Sequence, residues 1–384
     1  MTLLCSVRRC FLAVERFAWP VEALRTMPRK RKHGSFSQSY YNDPCSLESV
    51  VRKIETFAPR QLAESWDNVG LLVSHTSPKL IKKILLTNDL TEEVLEEAIE
   101  VDAQLVISYH PLIFPSVKSV NSNNWKERIV GTLLHKQIAL YCPHTAWDCV
   151  EGGVNDWLAG AFESKNASVT PLKRYNEGCS SKIVNALFPN GETAEKAMGE
   201  IKAALPCNMN VIDQRDGKVW LKIYIDEEYK CIPFLRSALD IDISVHTKMP
   251  TRFNAGAGRK VLLKEPIPLQ LAVMLVKEHT GLADVAVAVA SGETTESKVS
   301  SIALCAGSGG SVLKGVDADL YLTGEMSHHE VLDAVHKGVH VILTRHSNSE
   351  RGFLKIAATQ HLKNLMPEID FVVSSKDRDP LETM

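Results

Sequence analysis

Short apolar runs of strand length alternate with amphipathic helical segments along two parts of this chain. From about residue 46 to residue 162, the apolar runs Ile81–Thr87 and Leu105–Ser108 are separated by the acidic amphipathic segment Glu92–Val101. A second helical segment, Trp125–Lys136, is followed by the strand-like run Ile138–Cys142. The same alternation returns after residue 260. Strands and helices that alternate at this spacing predict an α/β fold, with a largely parallel sheet and helices on its faces.

The segment between these two parts follows a different order. Strand-like runs at Lys182–Phe188 and Ile241–His246 enclose a hairpin centred on Asp216 and Gly217, and helical patterns lie at residues 193–204 and 227–239. This order is βαββαβ, the split ferredoxin-like pattern. Pro171 and the glycine-rich stretch 254–258 are the predicted hinges on either side of it. We therefore predict a leader (1–45), a core in two parts (46–175 and 254–380) and an inserted α+β domain (178–250).

The composition limits the classes of partner. The chain has 384 residues, of which 45% are hydrophobic, which is enough for two or three domains with buried cores. Its formal net charge of -2 provides no global field that would attract nucleic acid or an anionic membrane. No apolar stretch reaches the ~18 to 20 residues that a membrane span needs. We therefore expect neither nucleic acid nor a membrane as a partner.

The cysteines and the leader bear on location. The 9 cysteines form no CxxC pair, which is typical of reduced thiols in a cytosol-like compartment. Arg8, Arg9 and Arg16 lie among apolar residues, as in a mitochondrial transit segment, and the basic run Arg29–His33 resembles a nuclear import signal. A disordered, solvated leader and a start at Met27 are the alternatives. We expect a cytoplasmic protein, with nuclear and mitochondrial locations left open.

Polar residues follow several predicted strands at the point where each strand ends. His110 follows the run ending at Ser108, and His144 follows the run ending at Cys142. In the second part of the core, Glu325 and His346 follow predicted strands in the same way. Because ligands of open α/β sheets bind at the carboxyl ends of strands, we expect these side chains to lie at the same edge of one sheet.

The sharpest pair among these residues is His346 with Glu350. A spacing of four residues at the start of a predicted helix (347–362) places both on one face, where they can bind one ion or form a plain surface salt bridge. His110 and Asp148 are expected at the same place, which favours metal binding. Imidazole and carboxylate ligands suit zinc, iron or manganese better than calcium. We therefore predict one or two divalent ions bound by His110, Asp148, His346 and Glu350.

Other residues near these strand ends allow two interpretations each. His144 is either a metal ligand or a hydrogen-bonding residue. Glu325 is either a base or a first-turn carboxylate stabilised by the helix dipole. Asn68, in the polar turn that follows Trp66, either lines the pocket or makes a local Asx turn. The glycine-rich stretch 307–310 is either an anion-binding loop or a tight turn.

Five segments together resemble the Ngg-interacting-factor-three-like family, which is filed with GTP cyclohydrolase I type 2. They are Trp66–Leu72 (WDNVGLL), Ser108–Pro111 (SYHP), His144–Asp148 (HTAWD), Asp319–His328 (DLYLTGEMSH) and His346–Gly352 (HSNSERG). The resemblance covers both parts of the core, and the middle unit resembles the insertion of the longer members. The chain is similar to a vertebrate member of that family.

The resemblance implies a two-lobed α/β core, a ring-shaped homohexamer built from dimers, and a dinuclear metal site that faces the central cavity. Where many members have two adjacent histidines, this sequence has Tyr109 and His110. Residue-by-residue transfer makes His110, Asp148, His346 and Glu350 the ligands. Tyr109 joins them only if its phenol, with an ordinary pKa near ~10, is ionised.

Three functions are consistent with these residues. The first is a metal-dependent hydrolase that acts on a nucleotide or phosphoester, with Glu325 for proton transfer; the family label implies opening of the guanine ring of GTP. The second is a non-enzymatic interaction protein that binds transcriptional regulators, because animal relatives are described as corepressor-type partners. The third is a metal chaperone or store that uses the same ligands without turnover.

Overall fold

The structure is a computed structural model that describes residues 43–75, 79–115, 119–175, 182–204, 208–215, 217–225, 235, 242–247 and 254–381. The predicted leader falls almost entirely outside these residues. Within them the strands form three β-sheets. In this described part, every helix is too short or too polar to cross a membrane. Strands and helices are numbered below in chain order.

The first sheet has the strand order β1-β4-β3-β2-β15, in which β4, β3, β2 and β15 are parallel and β1 is an antiparallel edge. Its strands are β1 (Gly70–Val73), β2 (Lys83–Thr87), β3 (Leu105–Ser108), β4 (Ala139–Cys142) and β15 (Asp370–Val373). The four strands β2, β3, β4 and β15 confirm the predicted parallel arrangement.

Helices cover both faces of this first sheet, because successive strand residues point to opposite sides. Leu86 and Ile107 pack in one cluster with α1 (Leu47–Phe57), whereas Leu85 and Val106 pack in another with α2 (Glu92–Glu100) and α3 (Trp125–Lys136). Ser46 caps α1 by accepting a hydrogen bond from the backbone of Ser49, as its position before an apolar helical face predicts.

The second sheet is mixed, with the order β11-β14-β13-β12-β10-β5. Only β12, β13 and β14 run parallel to one another, and the other neighbours are antiparallel. Its strands are β5 (Ser168–Arg174), β10 (Gly256–Pro268), β11 (Ala286–Ala288), β12 (Lys298–Ser308), β13 (Leu320–Glu325) and β14 (His340–Leu343). The helices of this part are α7 (Leu269–Thr280), α8 (Gly310–Leu313) and α9 (His328–His336).

The third sheet is the predicted insertion. Its order is β7-β8-β6-β9, and all neighbouring strands are antiparallel, which is the ferredoxin-like arrangement. The elements are β6 (Lys182–Phe188), α6 (Gly191–Ala204), β7 (Asn208–Arg215), β8 (Lys218–Ile225) and β9 (Asp242–Thr247). The second predicted helix, 227–239, lies outside the described residues except for Leu235.

The two predicted hinges of the insertion are parts of paired strands. Pro171 lies in β5 opposite Arg259 of β10, and Gly256 pairs with Arg174. The glycines permit close packing there: Gly258 has a φ of +60°, and a side chain on it would meet the carbonyl oxygen of Leu304 at 2.8 Å. The prediction of hinges was wrong. The glycines here allow neighbouring strands to approach each other closely, and the insertion leaves the core at β5 and rejoins it at the neighbouring strand β10.

The two parts of the core exchange strands. β5, from residues before the insertion, joins the second sheet, and β15, from the C-terminal end of the chain, joins the first sheet. Two short helices follow β4 in the sequence and precede β5: α4 (His144–Cys149) and α5 (Val154–Ala159). Their apolar residues pack in the largest core cluster. Trp147 is completely buried there. Neither part of the core is therefore complete without the other.

The predicted helix 347–362 is interrupted. Ser347–Ser349 forms a single 3-10 turn, and the backbone of Glu350 departs from helical geometry, with φ −126° and ψ −43°. The helical path resumes in α10 (Phe353–Ile356), continues as a π-helical turn (Ala357–Leu362) and ends in α11 (Lys363–Leu365). The irregular start allows Glu350 to turn into the interior, where its side chain is only 3% exposed.

Candidate metal centre

The predicted site residues come from two sheets, not from one edge of a single sheet. His110 and His144 follow β3 and β4 of the first sheet, whereas Glu325 ends β13 and His346 follows β14 of the second sheet. The prediction of a single sheet was wrong because both parts of the core show the same local pattern. Only the packing of one part against the other shows that two sets of strand ends meet.

Three of the predicted ligands converge. One ligand atom from each of His110, His346 and Glu350 lies within 4.8 Å of the other two, and this triad could hold a metal ion. His110 Nε2 is 3.4 Å from Glu350 Oε2, and His346 Nε2 is 3.6 Å from Glu350 Oε1. The carboxylate of Glu350 therefore lies between two imidazole nitrogens, one on each of its oxygens.

The Nδ1 atom of each histidine near this centre faces a carboxylate. The distances are 2.9 Å from His110 to Asp89, 2.9 Å from His346 to Glu325 and 2.8 Å from His144 to Asp67. A carboxylate next to Nδ1 requires a proton on that nitrogen and fixes the orientation of the ring. Each imidazole is therefore left with Nε2 as its free ligand atom, and His110 Nε2 is buried without a hydrogen-bond partner.

The charges around His110 favour a proton in the absence of an ion. Burial alone would lower the pKa of His110, but the hydrogen bond with Asp89 and the negative charges of Glu350 and Asp89 outweigh it and raise the pKa to about 10. Burial likewise opposes ionisation of Asp89, yet its hydrogen bond with His110 keeps the pKa of Asp89 below its usual value. The proton on His110 Nε2 occupies the position that a metal ion would take, so protons and metal compete there.

Asp148, the fourth predicted ligand, lies outside the triad. Its Oδ1 accepts a hydrogen bond of 2.5 Å from the hydroxyl of Tyr109, and both residues line a cavity together with His346 and Glu350. Burial raises the pKa of Asp148 to about 6 despite that hydrogen bond. Burial and the nearby charges of Asp148 and Glu350 raise the pKa of Tyr109 well above its usual range. In the absence of an ion, Tyr109 is therefore a neutral hydrogen-bond donor to Asp148.

Hydrogen bonds fix the positions of His144, the first residue of α4, and of Asn68, in the loop before β1. Asp67 binds His144 and also accepts hydrogen bonds from the backbone and hydroxyl of Thr145. Asn68 donates from its side chain to the carbonyl oxygen of Ile113 and from its backbone to Asp67. His144 faces the cavity, whereas Asn68 connects two loops. His144 has a positive φ of +30°, and such strained backbone is common at functional sites.

The glycine-rich stretch 307–310 packs directly against the triad. Gly307 has a φ of +63°, and a side chain on it would lie 2.6 Å from Glu350 Oε1 and 3.3 Å from His346 Nε2. The following helix, α8, has only four residues. Because the turn adjoins a carboxylate, its role is close packing, and this agrees with the tight-turn interpretation.

The comparisons with known proteins agree with this architecture. A family model described as Duf34/NIF3 (NGG1p interacting factor 3) matches residues 45–380. The chain belongs to this family. Rat (Rattus norvegicus) NIF3-like protein 1 is 39% identical over 350 residues, which cover 88% of this chain and 93% of the relative. NGG1-interacting factor 3 of Saccharomyces cerevisiae is 32% identical over 348 residues, which cover 87% of this chain and 96% of the relative.

Solved structures of the NIF3 superfamily share the fold. A Bacillus cereus protein related to NIF3 has a TM-score of 0.64 at 22% identity, covering 88% of this chain and 99% of that protein. HcgD from Methanocaldococcus jannaschii has a TM-score of 0.55 at 21% identity, covering 86% and 98%. These likenesses confirm the predicted mixed α/β fold class.

Two residues of the NIF3-family centre, Asn88 and Asp377, were given no role in the predicted site. The amide of Asn88 donates a hydrogen bond of 3.1 Å to Glu350 Oε2, and its backbone N–H donates one of 2.8 Å to Asp377. Asp377 also binds Arg351, at 3.2 Å. Asn88 follows a predicted strand, which was a usable signal. Asp377 follows the last strand in a polar tail, and nothing in the local sequence indicates its role.

Proposed function

We propose that this NIF3-family protein is a divalent-metal-dependent hydrolase, with the ion at His110, His346 and Glu350 and a nucleotide or another phosphoester as substrate. The main support for a bound metal is that His110 Nε2 is buried without a hydrogen-bond partner, 3.4 Å from Glu350 Oε2. Buried polar atoms normally have a partner. An ion shared with Glu350 and His346 would be that partner.

The residues present fit such an ion. Two imidazole nitrogens and a carboxylate oxygen suit zinc, iron or manganese. Asp89 and Glu325 at the Nδ1 atoms are the outer partners that metal-bound histidines usually have. At a second site next to Asp148, residue 109 supplies a phenol that donates to Asp148 Oδ1, where an imidazole would supply a ligand nitrogen. We therefore propose a single ion at the triad.

In the proposed mechanism, the ion and the side chains around it have separate roles. When bound, the ion would act as a Lewis acid on a phosphoryl or carbonyl oxygen. His144 lines the same cavity as His346, and because Asp67 holds its Nδ1, its Nε2 is arranged to take or give a proton. Glu325, predicted from sequence for proton transfer, has one oxygen against His346 and a 55% exposed side chain. In this proposal Glu325 orients His346.

The first test is the metal content of the purified chain, measured by elemental analysis after reconstitution with zinc, iron or manganese. We expect about one equivalent per chain, lost in the double variant His346→Ala, Glu350→Ala. The matched control is His328→Ala with His329→Ala, which removes two exposed imidazoles from α9. Parent protein without stoichiometric metal would contradict the proposal.

The second test is hydrolysis by the metal-loaded parent and the same variants. Release of inorganic phosphate from nucleotides and simple phosphoesters is measured, together with opening of the guanine ring of GTP. Activity that disappears with the triad but survives in the His328, His329 control supports a hydrolase. Stoichiometric metal without turnover of any substrate class would instead favour a metal store or chaperone.

A second candidate function is a non-enzymatic role in transcription. It is supported by the name of the yeast relative, NGG1-interacting factor 3, which is 32% identical to this chain. We propose a transcriptional regulator as the partner class. A pull-down with the corresponding adaptor protein, using parent and the triad variant, tests it. Equal capture by both would show that the partner surface and the metal centre are independent, and no capture would contradict this role.

The assembly and location are also proposals. The family resemblance implies a homohexamer built from dimers, and light scattering after size exclusion measures its mass. For location, we propose the cytoplasm, with nuclear entry through the basic run Arg29–His33. Fluorescence microscopy of the full chain and of a chain beginning at Met27 with that run changed to alanine compares nuclear and mitochondrial signals.

A further inference from the structure

We propose that the cavity next to the triad binds a planar aromatic ring against Trp66 and Phe114, so that the substrate is an anionic ester that carries such a ring. This inference rests on the proposed function, because it narrows the phosphoester class to ring-bearing, nucleotide-like molecules. Nothing in the local sequence around either aromatic residue indicates ring binding. The inference depends on how the tertiary structure places the two side chains.

The cavity has the size and the lining of a small-molecule site. Its volume is about 450 Å³, within the range of ~300 to 1,000 Å³ that is usual for such sites. His346 and Glu350 of the triad form part of its wall, and Trp66 and Phe114 form another part. A molecule that fills this cavity therefore contacts the aromatic pair and two of the three proposed metal ligands.

The two aromatic side chains are unusually exposed for their type. Trp66 is 61% exposed and Phe114 is 49% exposed, yet they contact each other with ring centroids 6.1 Å apart and an interplanar angle of 66°. Trp66 also contacts the ring of His144, with centroids 6.1 Å apart. Exposed apolar groups that cluster at a cavity commonly mark a binding surface. The exposed part of each ring leaves aromatic surface for contact with a ligand ring.

The loops that carry this pair are tied together and to the site. The Asn68 side chain donates to the carbonyl oxygen of Ile113, the residue next to Phe114, and so connects the two aromatic loops. Asp67, the residue next to Trp66, holds His144. The aromatic pair therefore has a defined position relative to the cavity. This arrangement also gives Asn68 a physical role as a connection between the loops.

An anionic group in this cavity would be held by the proposed ion and by Lys173, because the other acidic or basic side chains of the lining, apart from two histidines, are the carboxylates of Glu64, Asp148 and Glu350. The Nζ of Lys173 donates to the carbonyl oxygen of Ser311 at 3.2 Å. A neighbouring cavity of about 660 Å³ also includes His346, but the described residues that line it include no Trp, Tyr or Phe. Among the described residues, a ligand ring therefore has aromatic partners in the smaller cavity and no Trp, Tyr or Phe in the larger one.

The test compares two ligands that differ by one ring. Adenosine 5′-monophosphate and ribose 5-phosphate are titrated into the metal-loaded full chain by calorimetry. Because stacking on an aromatic side chain strengthens the binding of a base, we expect adenosine monophosphate to bind about 5- to 150-fold more tightly. Trp66→Ala should remove most of this difference and leave the affinity for ribose 5-phosphate unchanged, whereas Trp66→Phe should keep part of it.

The control is Trp125→Ala, which removes another exposed tryptophan, 42% exposed on α3, without changing this cavity. Equal binding of the two ligands by the parent, or no binding of adenosine monophosphate, would overturn the proposal. So would an equal loss for both ligands in Trp66→Ala, or a changed assembly mass by light scattering, which would assign Trp66 to a subunit contact. Ring-dependent binding without hydrolysis would leave this subsite standing and reject only the hydrolase.

Discussion

The hydroxyl of Tyr109 donates a hydrogen bond of 2.5 Å to Oδ1 of Asp148. Tyr109 is 2% exposed, and this burial disfavours ionisation of its phenol. The family resemblance places an imidazole at position 109 and makes Asp148 a ligand. In this chain Tyr109 and Asp148 are hydrogen-bonded to each other, and His110, His346 and Glu350 form the group that could hold a metal ion.

Replacement of Tyr109 should therefore change the metal stoichiometry. We expect about one ion per parent chain, a rise toward two in Tyr109→His, and no rise in Tyr109→Phe, because phenylalanine supplies no ligand. Tyr109→Phe should also lower the free energy of unfolding by about 1 to 3 kcal/mol, since a buried carboxylate loses its donor. Elemental analysis and urea unfolding measure both effects. Two ions per parent chain would contradict this assignment.

Gly307 should tolerate no side chain, because the added Cβ would lie 2.6 Å from Glu350 Oε1. Gly307→Ala should weaken zinc binding at least tenfold and, through its φ of +63°, lower the free energy of unfolding by about 1 to 2 kcal/mol. The matched control is Gly315→Ala, with a φ of +76° and no atom within 4 Å of the added Cβ. The control should lose similar stability and retain zinc affinity. Equal zinc affinity in both variants would refute the steric argument.

Asp377 should support the metal centre from a distance. It accepts a hydrogen bond from the backbone of Asn88, whose side chain in turn donates to Glu350. Asp377→Asn should weaken metal binding about 10- to 100-fold, the usual range for outer-shell partners. Asp379→Asn is the control, because Asp379 accepts a hydrogen bond from Asn348 in the turn Ser347–Ser349. Competition with a fluorescent zinc chelator gives both affinities, and matching values would rule out a specific role for Asp377.

Glu97 should make folding sensitive to acid. Burial alone would raise the pKa of Glu97, but hydrogen bonds from Ser374 and Ser375 lower it below its usual value of 4.5. A carboxylate whose pKa is lower in the folded protein than in the unfolded chain stabilises the fold at pH values above the unfolded-state pKa. That stability is lost as the pH falls through the folded-state pKa. Glu97→Gln should cost about 1.5 to 3 kcal/mol at neutral pH and progressively less below the usual pKa.

Urea unfolding with a chelator present measures this difference between parent and Glu97→Gln across the acid range. The control is Glu96→Gln, which changes an exposed carboxylate on the same helix, α2. The control should show little loss of stability at any pH. A Glu97→Gln deficit that stays constant or grows as pH falls would have the wrong sign for a carboxylate stabilised in its ionised form.

The local elements were largely predictable because their signals are short-range. The pattern around Trp125–Lys136 predicted a helix with those same bounds, and the run Leu105–Ser108 predicted a strand with those same bounds. The irregular loop 347–352 was not predictable in the same way. Its residues have a helical pattern, but the contacts of Glu350 with His110 and Asn88 turn its side chain inward.

The sequence by itself determined the alternation of strands and helices, the set of polar residues at strand ends and, through five motifs, the family. These properties depend on neighbouring residues and on side-chain types. Only the tertiary structure decided that two sheets meet at the site, that Asp148 binds Tyr109, and that Asp377 supports Asn88. The last contact joins residues 289 positions apart, and Asn88 reaches Glu350 across 262. Such contacts arise from the packing of the two parts of the core, which no local pattern encodes.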